Sequence, residues 1–169
     1  MDYEAELAYA DEVGRHFARQ NGLPPMTGRV AGWLLICDPP QQTIAELGEA
    51  LRASRTAVSG AVSMLEEWSW IQRSRAAGER VDRVSLHPAI WLRMVDKPSE
   101  YVSLGALAHQ GLKVLDEAPP ARRARLLEGA AFAEFLVERM PALAAEWRER
   151  RDALRASGAL PDDAGTSRP

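Results

Sequence analysis

The chain has 169 residues, of which 46% are hydrophobic and 27% charged, with a net charge of −3. That length fits one domain with helical extensions, and the acidic balance excludes indiscriminate nucleic-acid binding over the whole surface while allowing a local basic footprint. A single cysteine excludes an intrachain disulfide framework. No apolar run reaches membrane-spanning length, and the acidic first residues carry no basic-then-apolar leader pattern, so a cytoplasmic protein is expected.

Taken in chain order, residues 2 to 20 read as an amphipathic helix, with Tyr3, Leu7, Ala10 and Phe17 on one side. This stretch holds Asp2, Glu4, Glu6, Asp11 and Glu12 and no basic residue before Arg15. Pro24-Pro25 stops it, and a second helix is expected from Met26 to Cys37, ended by Asp38-Pro39-Pro40. Thr43 then begins a capping box with Glu46, followed by Ile44, Leu47 and Leu51 on one helical face. Arg52-Ala53 is a short connector, and Ser54 is a good N-cap for the next helix, which runs to about Trp68.

In that helix Val58, Val62 and Leu65 share one side. The other side shows Arg55, Thr56, Ser59, Gly60 and Ser63, with Glu67 at its far end. A face that enters a DNA groove wants this composition: small side chains allow close approach, and hydroxyls donate or accept at several base edges. After Trp70 the period changes. Ile71–Arg75 and Arg80–Leu86 read as two strands around Ala76-Ala77-Gly78-Glu79. The hairpin carries Arg73, Arg75, Arg80 and Arg83, and the planar guanidinium fork suits phosphates and narrow minor grooves.

Residues 88–117 read as one helix starting near Pro88, and Pro119-Pro120 breaks the chain before a long helix over 120–156, kinked at Pro141. Residues 157–169 are small and polar, the composition of a disordered tail. The expected fold is mainly α with a small β-hairpin wing (α+β). A winged helix-turn-helix over 25–87 lies between a dimerisation helix over 1–24 and linker and dimerisation helices over 88–156. Pairing two such modules doubles the contacts and sets half-sites about 34 Å apart, so a homodimer on a palindromic double-stranded operator is the expected assembly.

The order of elements resembles the MarR-type transcriptional regulators. Three stretches resemble their GbsR-like branch: Gly28-Arg29-Val30-Ala31-Gly32-Trp33-Leu34-Leu35 with Asp38-Pro39, Glu46-Leu47 through Ser54 to Ser59, and the wing tip Gly78-Glu79-Arg80. The common MarR wing has Asp-x-Arg; here Gly78 stands in the Asp place and Arg80 in the Arg place. The resemblance implies a dimeric regulator, mostly repressing, with DNA affinity that changes when a small ligand binds. The DNA-facing candidates are Ser54, Arg55, Thr56, Ser59, Gly60, Ser63, Arg73, Arg75, Arg80 and Arg83.

Five tryptophans offer material for an effector pocket, with Trp33, Trp68, Trp91 and His16 as candidates; the alternative is that they are ordinary core and interface residues. Cys37 reads either as an oxidation sensor or as a buried structural thiol. No catalytic set is expected, because the three histidines are scattered and no nucleophile, base and orienter stand together. No metal or other cofactor is expected either. The alternative function is a winged-helix protein-interaction module without direct DNA readout; four arginines in the wing speak for DNA.

Overall fold

The computed structural model describes residues 3–75, 78, 80–93, 96 and 98–161. The chain forms two compact units, Met1–Ile90 and Trp91–Pro169. The expected mainly α fold with a small wing is what the structure shows.

The first unit opens with α1 (Tyr3–Asn21) and α2 (Pro25–Leu34). Pro25 sits in the first turn of α2, where its missing N–H costs nothing. The regular helix stops at Leu34, three residues before the expected end; Ile36 and Cys37 still donate to the Trp33 carbonyl at 3.0 and 2.9 Å in the closing turn. The two helices cross at backbone contact. A Cβ on Gly28 would lie 2.8 Å from Gly14 Cα, and one on Gly32 would lie 2.7 Å from Val13 Cβ. The glycine-rich run that carries the resemblance is therefore, physically, a close helix crossing.

Next come α3 (Ile44–Ala50) and α4 (Arg55–Glu67). The α3 cap forms as the sequence predicts: Glu46 N–H donates to Thr43 Oγ1 at 3.2 Å, and Thr43 N–H donates to Glu46 Oε2 at 2.6 Å. Leu47, Leu51, Val58, Val62 and Leu65 are fully buried with Val30 and Val84, so the two helices share one core with α2 and the sheet. Removing one of these leucines down to alanine costs about 2–5 kcal/mol.

The sheet has three strands in the order β1-β3-β2, with β1 (Gln42–Thr43), β2 (Ile71–Ser74) and β3 (Arg83–Leu86) all antiparallel. The sequence shows only the hairpin. β1 is two polar residues with no alternation, and it becomes a strand because β3 pairs with it, Gln42 opposite Val84 and Thr43 opposite Arg83. Gln42 is buried, and its side-chain oxygen accepts the Trp33 Nε1 proton at 2.9 Å. The regular strands end at Ser74 and resume at Arg83, shorter than the expected Ile71–Arg75 and Arg80–Leu86. Gly78 has φ 88°, as the turn requires; Ala76, Ala77 and Glu79 of the predicted turn lie outside the described residues.

The second unit is built on a helical hairpin. α5 (Ile90–Arg93) leads to α6 (Pro98–Val114), and α7 (Pro120–Ala156) follows. The single helix expected over 88–117 is thus two. Pro98 cannot donate to a preceding turn and starts a new helix. α7 runs continuously through Pro141. At the seam Gly105 faces Ala133 and Gly111 faces Leu126, and the buried residues are small: Gly105, Ala108, Ala130, Ala133 and Ala144. Several large apolar residues stay outside, with Leu107 64%, Phe132 54%, Phe135 55% and Leu143 51% exposed. Gly158 at φ 76° and amides of Ala159 and Leu160 donating to the Leu154 carbonyl close α7. Of the tail 157–169, residues 162–169 lie outside the described residues. None of the described helices is long and apolar enough to cross a membrane.

Candidate nucleic-acid interface

α4 is set in place by its two ends and one buried face. Ser54 caps it, its Oγ accepting from Ala57 N–H at 3.2 Å. The buried face holds Val58, Ala61, Val62 and Leu65. Ser54, Arg55, Thr56, Gly60 and Ser63 are exposed, and Ser59 is half-buried beside them. These six candidates therefore lie together on one open side of α4, with no acidic residue before Glu66.

The turn before α4 is held from α1 and α2. Arg52 has φ 50°, a left-handed backbone that costs a non-glycine residue about 1–2 kcal/mol. Contacts hold it there. Its guanidinium pairs with Glu4 and lies 5.2 Å over the Tyr3 ring. The Tyr3 hydroxyl donates to the Ala50 carbonyl at 2.7 Å, and Arg29, paired with Asp11, donates to the Leu51 carbonyl at 3.2 Å. The hydrogen bond and charge of Glu4 push the Arg52 pKa further up, so it stays a cation. Arg52 and Arg55 flank an open cleft of about 460 Å³ with Ile44, Ala45, Gly48 and Glu49. Reading Arg52 as a mere connector missed this place on the rim; an arginine in the turn of a helix-turn-helix was the available signal.

The wing arginines are not equivalent. Arg73 Nε donates to both oxygens of Glu66 on α4 at 3.0 Å. Arg75 pairs with Asp82 across the hairpin at 2.7 Å. Arg83 Nη1 lies 3.2 Å from Glu46 Oε2 on α3 and 3.4 Å from the Gln41 carbonyl. Arg80 is exposed near the tip, with no ion pair to another described residue. Glu46 is drawn below the usual carboxylate range, first by the Thr43 backbone N–H and also by Arg83. No sequence signal joined residues 46 and 83, which stand 37 apart and meet only because β1 pairs with β3.

The four effector-pocket candidates separate. His16 stacks edge-on against Phe17 at 5.5 Å, Phe17 packs on Trp70 at 5.3 Å, and Trp70 on Trp68 at 5.8 Å, so His16 and Trp68 share one aromatic row. Trp33 stands apart from it, edge-on to Tyr3 at 6.2 Å and bonded to Gln42. Trp91 belongs to the second unit and is exposed. Another cleft, about 440 Å³, lies between α6 and α7 and is lined mainly by Tyr101, Val102, Ala106, Ala133 and Val137. Cys37 is half-buried, and burial pushes its pKa up to about 11, the opposite of an activated thiolate.

The family described as "MmpR5-like MarR family transcriptional regulator" matches residues 89–150. The chain is 35% identical over 123 residues to the HTH-type transcriptional regulator MmpR5 of Mycobacterium tuberculosis (strain ATCC 25618 / H37Rv), spanning 72% of this chain and 74% of that protein. A solved crystal structure of a transcriptional regulator superposes with a TM-score of 0.78 at 29% identity, covering 86% of this chain and 99% of that one.

Proposed function

Given that the chain belongs to the MarR family of transcriptional regulators, we propose that it is a homodimeric, sequence-specific DNA-binding repressor that inserts α4 into the major groove. The observation that carries the reading is the open side of α4. Arg55, Thr56, Ser59, Gly60 and Ser63 stand on it with no acid among them, while the opposite side is sealed in the core. Ser54 and Arg55 at its N-terminus, with Arg52 beside them, are placed to meet a phosphate. Arg75 and Arg80 reach the backbone or minor groove from the wing. With one arginine and several hydroxyls as base readers, DNA shape carries part of the specificity.

The dimer rests on the second unit. The hairpin buries glycine and alanine at its seam and leaves Leu107, Phe132, Phe135 and Leu143 exposed, and a second copy is the cover we propose. The placement within the GbsR-like branch rests on the Gly28–Leu35 run and the Gly78-Glu79-Arg80 tip. An effector response belongs to the same reading, the α6–α7 cleft being of a size that ligands fill.

The test is a pulldown of sheared genomic DNA from the source organism with the purified protein, followed by sequencing. A few enriched palindromic sites are expected. Folded protein that enriches nothing over bulk DNA would move the reading to a winged-helix protein-interaction module or to a regulator that needs its ligand to bind.

A further inference from the structure

Among the described residues, three of the four wing arginines face carboxylates of their own chain, and two of these pairs join separate elements. Glu66–Arg73 ties the end of α4 to β2, and Glu46–Arg83 ties the start of α3 to β3. We propose that Arg73 and Arg83 are positioning residues which fasten the wing to the two helices of the helix-turn-helix, so that the wing meets DNA through Arg80 and Arg75 instead.

The geometry distinguishes the pairs. Glu46 Oε2 takes both partners: it accepts the Thr43 backbone N–H at 2.6 Å as part of the α3 capping box and Arg83 Nη1 at 3.2 Å, while Oε1 lies 3.4 Å from the same Nη1. Turning Arg83 out to a phosphate would leave Glu46 facing the DNA without its cation. Thr43 is also the β1 residue opposite Arg83, so one carboxylate serves a helix cap, a strand pair and a wing arginine. The Arg83 side chain is 26% exposed and that of Arg73 is 31% exposed, against 58% for Arg75. Arg75 can exchange Asp82 for a phosphate with little rearrangement, because exposed pairs contribute little. Arg73 and Arg83 cannot do so without loosening the wing from α4 or α3.

This inference rests on the DNA-binding reading, and the experiment separates the two. Full-length variants are measured for binding to a random-sequence duplex over a salt series, with circular dichroism to verify folding. Glu46→Gln keeps the capping box, since glutamine serves at that position, but removes the charge opposite Arg83. Glu46→Gln and Arg83→Gln are each expected to weaken binding by about two- to five-fold, as for a partly exposed ion pair. The double variant is expected to lose no more than either single one, and the salt slope is expected to stay unchanged. For the other pair, Glu66→Arg combined with Arg73→Glu is expected to recover binding that each single change lowers.

The opposite pattern overturns the proposal. If Arg83 were a phosphate contact, Arg83→Gln would lower the salt slope by roughly 0.9, and Glu46→Gln would bind tighter than wild type by removing a nearby acid. The reversed Glu66/Arg73 pair would then bind worse than either single change. Wild-type protein that fails to bind duplex at any salt overturns the DNA-binding reading instead. Amide exchange at Gln42 and Val84 then decides the fastening alone: faster exchange, equal in Glu46→Gln and Arg83→Gln, supports it, and unchanged exchange overturns it.

Discussion

Replacing Gly28 with alanine adds one methyl group at the place where α1 and α2 touch. The new Cβ would lie 2.8 Å from Gly14 Cα and 3.2 Å from Gly14 O, where carbon atoms ordinarily stay about 3.5–4.0 Å apart. Both neighbours are backbone, so no rotamer change relieves the contact and the helices must part. Overpacking of this kind costs about 1–3 kcal/mol, offset by about 1 kcal/mol of better helix propensity. Since only a movement of the helices relieves the contact, the upper part of that range applies, and a net loss of about 1–2 kcal/mol is expected. Gly60→Ala is the matched control: it is also helical, but nothing lies within 4 Å of its added Cβ. That variant is expected to gain about 0.5–1 kcal/mol. At roughly 4–8 °C per kcal/mol for a unit of this size, the two melting temperatures should differ by about 6 °C or more. Thermal unfolding followed by circular dichroism measures it, and a Gly28→Ala protein as stable as Gly60→Ala would refute the backbone crossing of α1 and α2.

Other expectations concern the DNA face and the cysteine. Arg80→Ala is expected to weaken binding broadly across sequences and to reduce the salt slope by about one; identical binding across salt would remove Arg80 from the interface. Ser59→Glu places a carboxylate on the groove side of α4 and is expected to abolish operator binding while leaving the oligomeric state by light scattering unchanged, so a variant that still binds would mean another face of α4 reads DNA. Cys37, with its pKa raised to about 11, is expected to react with iodoacetamide at pH 8 roughly a hundred-fold more slowly than in the unfolded chain, in proportion to its thiolate. Equal rates would show that the thiol is not shielded.

Local chemistry determined a large share of this protein. Thr43 with Glu46 and Ser54 with Ala57 are interactions three residues apart, so capping side chains announce α3 and α4 from the chain alone. The spacing of Val58, Val62 and Leu65 likewise divides α4 into a buried and an open side before any partner is known. Pro119-Pro120 marks the start of α7 from the sequence, whereas Pro25, read there as the stop of α1, is the first residue of α2, and Pro98 starts α6 inside what reads as one helix.

What the tertiary structure decided are the events that need distant residues. β1 exists because β3 supplies hydrogen-bond partners to two polar residues that carry no strand pattern of their own. The closeness of α1 and α2 depends on Gly14 and Gly28 meeting at a crossing that no periodicity reveals. The wing arginines look alike in sequence, and only the folded chain puts Glu66 beside Arg73 and Glu46 beside Arg83. Composition tells how many charges a segment carries, but which of them are already paired depends on contacts across tens of residues, and those follow from packing.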